Sequence, residues 1–70
     1  MPDLTNYLPL TGRERDILEC AASGYTLKET CAELNIKSHT YKAHRKAILF
    51  KLGAPNMYNA IYVACKRGLL

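Results

Sequence analysis

Apolar side chains recur along the chain at intervals of three and four, the period of an α-helix, and nowhere alternate singly with polar ones as a strand requires. Ile17, Leu18, Ala21 and Ala22 form one such face. Thr11 stands ahead of them as an N-cap, and Glu14, three residues later, completes a capping box. Gly24 supplies the stop. Thr26 and Glu29 repeat the capping spacing before Leu27, Thr30, Cys31 and Leu34, which predicts a second helix too short to stand alone. Asn35 suits a left-handed turn and Ile36 plugs that turn into the core. The pattern is that of two helices joined tightly.

A third helix is expected from near Ser38 to about Leu52, with Tyr41, His44, Ile48 and Leu52 on one side and Leu49 beside them. His44 is expected to be packed there and hydrogen-bonded. Gly53 stops the helix and Pro55 prevents its continuation. Asn56 caps a fourth helix over 57–67, closed by Gly68. Met57, Ala60, Ile61 and Ala64 make its inward stripe, while Tyr58, Tyr62 and Cys65 make a second one. Residues 1–9, with two prolines and no period, read as an N-terminal arm that Leu4, Tyr7 and Leu8 pin to the core. The fold class is therefore all-α: four helices over residues 10–70, with a helix-turn-helix at the centre.

Seventy residues hold one small core and no second domain. Charge changes the picture more than size does. Residues 1–36 carry three basic and six acidic side chains; residues 37–70 carry seven basic ones and no acid. Half of the domain is uniformly basic, which points to an anionic partner. No apolar run reaches the roughly 18 residues that a membrane span needs, and the basic face lacks an apolar backing for a membrane surface. A cytoplasmic protein without membrane contact is expected. Cys20, Cys31 and Cys65 have neither number nor spacing for a zinc site, and His39 and His44 stand five apart, so no metal is expected. They read as small apolar residues of a reducing compartment. A phosphate-binding glycine loop, a nucleophile with its base and a paired carboxylate are all missing, so neither catalysis nor a cofactor is expected.

Nucleic acid fits better. An α-helix enters the major groove of DNA, and in helix-turn-helix proteins the second helix of the motif reads base edges from its first turns. That helix is the basic one here. Lys42, Ala43 and Lys46 project from it on the side opposite Ile48 and Leu52. Lysine can donate to guanine O6 and N7, and an alanine methyl can pack on a thymine methyl. Thr26, Lys28, Lys37, Ser38, His39, Thr40, Arg45 and Lys51 ring the same surface and suit phosphate. Arg13 and Glu14 are expected to be structural, capping the first helix and tying it to a neighbour.

The ordered set Leu10-Thr11-x-Arg13-Glu14-x-x-Ile17-Leu18, Gly24-Tyr25-Thr26-x-Lys28-Glu29, Leu34-x-Ile36-x-x-x-Thr40-x-Lys42-x-His44, Ile48-Leu49-x-Lys51-Leu52-Gly53 and Gly68-Leu69-Leu70 resembles the LuxR/GerE-type DNA-binding domain over residues 10–70. The resemblance implies a dimer whose third helix reads the major groove, with base contacts at Lys42, Ala43 and Lys46. It implies phosphate contacts at Thr26, Lys28, Ser38, Thr40 and Lys51, and dimerisation through the fourth helix. The chain departs from the family pattern at Tyr41, where a smaller valine is usual, and at Leu27, Ala47 and Phe50. The serine usual at the cap of the third helix is Lys37, which moves the expected cap to Ser38.

The expected function is a bacterial transcription regulator, stand-alone or the output domain of a longer one. It would bind double-stranded DNA at a pseudo-palindromic site as a homodimer through Tyr58, Tyr62 and Cys65, and meet the transcription machinery. Read from Met1 as its start, the chain carries no receiver or ligand-sensing domain, and synthesis, degradation or a partner would set its activity. A different class of reading is an interaction protein that sequesters a related LuxR-type regulator through helix 57–67.

Overall fold

The computed structural model describes residues 9–70. Four helices follow one another: α1 (Gly12–Ala22), α2 (Leu27–Leu34), α3 (Ser38–Leu52) and α4 (Met57–Lys66), with no strand among the described residues. The fourth helix ends one residue earlier than expected, with Arg67 at its C-cap. Leu4, Tyr7 and Leu8, assigned above to a pinned arm, lie outside the described residues.

Local chemistry explains where the helices start. Thr11 Oγ1 accepts the Glu14 N–H at 3.1 Å, and Glu14 Oε1 accepts the Thr11 N–H at 2.8 Å. Thr26 and Glu29 make the same reciprocal pair at 3.1 and 2.9 Å. Asn56 Oδ1 accepts the Asn59 N–H at 2.8 Å. Each such cap contributes about 1 kcal/mol by satisfying donors that a helix start leaves unpaired.

The third helix departs from the expected cap. Its N-cap is Lys37, in extended conformation (φ −85°, ψ 159°), and it makes no side-chain cap hydrogen bond. Ser38 is already inside the first turn, so its hydroxyl does not serve as the cap. The Lys37 carbonyl accepts the first helical bond, from Tyr41 N–H at 3.0 Å.

All four helices stop in one manner. A left-handed residue follows each (Gly24, Asn35, Gly53 and Gly68) and the next amide bonds back to a carbonyl five residues earlier. These bonds run from Tyr25 to Cys20, Ile36 to Cys31, Ala54 to Leu49 and Leu69 to Ala64, at 2.8–3.0 Å. Asn35, at φ 53°, is the one described non-glycine residue with positive φ. Its short polar side chain tolerates that region. The turn it makes delivers Ile36 against the core.

Ile17, Leu18, Tyr41, Ile48, Leu52, Ala60 and Ala64 form the core, with Leu27, Cys31, Leu34, Leu49, Met57 and Ile61 among those packed on it. Helices α1 and α3 each touch all of the other three, and one face of α3 stays free. Tyr41 fits as a core residue despite its size, and burial pushes its hydroxyl pKa up while Arg45 pulls the other way. No helix of the described residues is long and apolar enough to cross a membrane.

Candidate nucleic-acid interface

The buried positions of α3 are Tyr41, Ile48 and Leu52. At about 100° per residue, the side opposite them carries His39, Ala43, Lys46 and Phe50, with Lys42 on the flank. All five are exposed. The three residues expected at base edges, Lys42, Ala43 and Lys46, are thus brought together on the N-terminal half of α3, clear of the core.

The residues expected at phosphate divide into groups. Lys37, Ser38 and His39 are exposed at the start of α3, whose first-turn N–H groups receive no side-chain cap from Lys37. Thr26 and Lys28 are exposed at the start of α2, with Thr26 engaged in its capping box. Thr40 is half-buried. Arg45 is exposed but stands on another flank, lining a groove of about 380 Å³ with Tyr25, Tyr41, Met57 and Tyr58. Lys51 is half-buried and its Nζ donates to Glu14 Oε1 at 2.7 Å. The same Glu14 oxygen accepts Thr11 N–H, so α1's cap is fastened to the last turn of α3. Burial pushes the Glu14 carboxyl up, but hydrogen bonds from Lys51 and the Thr11 backbone outweigh it and hold the group below its ordinary value.

His44 is half-buried as expected of a packed residue; the expected hydrogen bond to its ring is not formed with another described residue. The residue that sequence reasoning passed over is Phe50, treated only as a departure from the family pattern. Its signal was the spacing: four residues from Lys46 and seven from Ala43 keep it on the same face.

Acidic side chains gather elsewhere. Asp16, Glu19 and Glu33 line a shallow groove with Cys20 between α1 and α2. Burial, then Glu33, raise the Cys20 thiol pKa, with the Thr30 hydroxyl opposing; that buried hydroxyl closes no full hydrogen bond. Among the described residues, no three His, Cys, Asp or Glu side chains form a group able to hold a metal. On α4, Tyr58 and Tyr62 are 88% and 61% exposed and Cys65 is exposed with them, on the face away from Ala60 and Ala64. Lys66 Nζ lies 5.9 Å from the Tyr62 ring centroid, a cation–π contact that covers part of that ring.

A recognisable family carries this arrangement. The luxR family of bacterial regulatory proteins (GerE) matches residues 8–64, and the chain belongs to it. It is similar to the HTH-type transcriptional activator RamA of Corynebacterium glutamicum, 38% identical over 61 residues, which is 87% of this chain and 22% of RamA. It is similar also to the transcriptional regulatory protein DesR of Bacillus subtilis, 42% identical over 60 residues, 86% of this chain and 30% of DesR. The transcriptional regulatory protein UhpA of Salmonella typhimurium is 46% identical over 48 residues, 69% of this chain and 24% of UhpA. The chain thus spans less than a third of the length of these relatives.

Proposed function

We propose that this chain is a sequence-specific DNA-binding transcription regulator that places α3 in the major groove. The observation that carries the reading is the free face of α3: exposed, without an acidic residue, and uncapped at its start. Lys42 and Lys46 donate to guanine O6 and N7, and Ala43 packs on a thymine methyl. Lys28, Lys37, Ser38, His39, Thr26 and Thr40 hold the backbone, together with the first-turn amides of α3, which suit an anion. Arg45 and Lys51 join them from the flanks. Lys51 shares its charge with Glu14 and so contributes the least.

The protein acts as a homodimer on a pseudo-palindromic site, one α3 per half-site, held through Tyr58, Tyr62 and Cys65. Two exposed tyrosines at helical spacing are the kind of aromatic anchor that interfaces enrich, and closed two-fold dimers are the commonest assembly. The named relatives are transcription regulators, which supports the DNA-binding reading; contact with the transcription machinery is part of the proposal. The tyrosine face also favours a second reading, in which α4 sequesters a related regulator in an inactive heterodimer.

Selection from a randomised duplex pool tests the choice. Recovery of a two-fold symmetric motif, lost in Lys42→Ala and only weakened in Tyr62→Ala, is the expected result. The reverse order of sensitivity, or no motif at all, supports sequestration.

A further inference from the structure

Phe50 is 73% exposed, although phenylalanine is among the side chains that gain most from burial. It stands on the free face of α3, in line with His39, Ala43 and Lys46. That face is turned from the core, and α4 packs on the core side, so Phe50 cannot join the Tyr58–Tyr62 surface. The groove between α3 and the start of α4 is lined by Arg45, Leu49, Pro55 and Tyr58 and excludes it. Its neighbours along the ridge are cationic or small: Lys46 one turn before it and Ala47 beside it, with no acid anywhere on the helix. A ring so surrounded is continuous with a surface made for a polyanion.

We propose that Phe50 is a specificity-determining contact of α3, its ring packing on the C5-methyl of a thymine in the major groove. The inference rests on the DNA-binding reading above and deepens it. Apolar contact with the thymine methyl is one of the ways in which the major groove distinguishes base pairs, and phenylalanine is one of the side chains that make it. Seven residues of helix span about 10.5 Å, so with α3 lying along the groove Phe50 reaches a base pair about three steps from the one that Ala43 meets. The flank at Ala47 carries only a methyl, leaving the ring free to lie flat against a base edge.

The test replaces single thymines by deoxyuridine throughout the selected duplex, which removes the methyl and leaves the pairing edge intact. Full-length wild-type protein is expected to lose about fourfold in affinity, the scale of one buried methyl group, at a thymine about three steps from the one that Ala43 meets in each half-site, besides the loss at Ala43's own thymine. Phe50→Ala is expected to bind the selected duplex more weakly and to be indifferent to that substitution, while Phe50→Leu keeps part of the sensitivity. Helical content by circular dichroism should be unchanged, because the side chain is outside the core. If Phe50→Ala keeps wild-type affinity and wild-type sensitivity to deoxyuridine, the inference fails. It fails also if that variant binds normally but no longer supports transcription in a reconstituted reaction, which would turn the ring toward a protein. A motif that depends on Lys42 and Lys46 but is blind to Phe50 overturns this inference alone; no motif at all overturns the DNA-binding reading with it.

Discussion

Lys51 Nζ donates to Glu14 Oε1 at 2.7 Å, across 37 residues of chain, and the same oxygen accepts the Thr11 N–H at 2.8 Å. One carboxylate therefore caps α1 and clamps it to the end of the helix that carries the basic face. Both side chains are largely out of solvent, so the bond is charge-assisted and poorly screened. Glu14→Ala is expected to cost about 2–3 kcal/mol, the sum of a lost acceptor for the Thr11 N–H and a lost charge-assisted bond, while Thr11 Oγ1 still accepts the residue-14 N–H. Lys51→Met should cost about 1–2 kcal/mol, because Thr11 stays capped. Urea unfolding of both variants checks the order.

The depressed Glu14 carboxyl also sets a pH dependence. Its stabilisation is complete above the ordinary value of 4.5 and is lost as pH falls through the lower folded value. Wild type should therefore lose stability below about 4.5 more steeply than Glu14→Gln. Thermal melts of the two proteins at descending pH measure the difference directly, and parallel curves would remove Glu14 from the account.

Asn35 occupies the left-handed region at φ 53°. A glycine there should be tolerated within a few tenths of a kcal/mol, whereas Asn35→Val should cost about 1–2 kcal/mol from steric conflict. Because the turn it makes seats Ile36, the valine variant should also disturb packing around the α2–α3 junction. Amide hydrogen exchange at Ile36 reads that change.

The cysteines offer a test of the α4 surface. Cys20 is partly covered, and burial with neighbouring Glu33 keeps its thiol protonated, so it should alkylate slowly. Cys65 is exposed beside Tyr58 and Tyr62. In a homodimer it should label quickly at low protein concentration and become protected as concentration rises. Labelling that ignores concentration would argue against α4 as the contact between copies.

Most helix boundaries were legible because they are written locally: Thr11 with Glu14, Thr26 with Glu29, Asn56, and the left-handed stops at Asn35 and Gly53 all act within five residues. The free face of α3 was legible for the same reason, since helical period alone separates Lys42, Ala43 and Lys46 from Ile48 and Leu52. What depends on how helices cross was not. Lys51 finds Glu14 only because α1 packs on α3, and no local spacing announces it. Arg45 shares a groove with Met57 and Tyr58 of α4 for an equally non-local reason. The uncapped start of α3 escaped because Ser38 is a good cap by type, while the extended backbone is at Lys37.

The central claim is that α3 binds DNA through its free face. Fluorescence anisotropy of a labelled duplex at two salt concentrations, with wild type beside Lys42→Ala/Lys46→Ala, tests it most directly. Wild-type affinity is expected to fall with salt, log K declining by about 0.9 per phosphate contact for each unit of log salt concentration. The double variant should lose its preference for the selected sequence while remaining folded. Binding that is flat with salt and the same for both proteins would rule out DNA binding through the free face of α3.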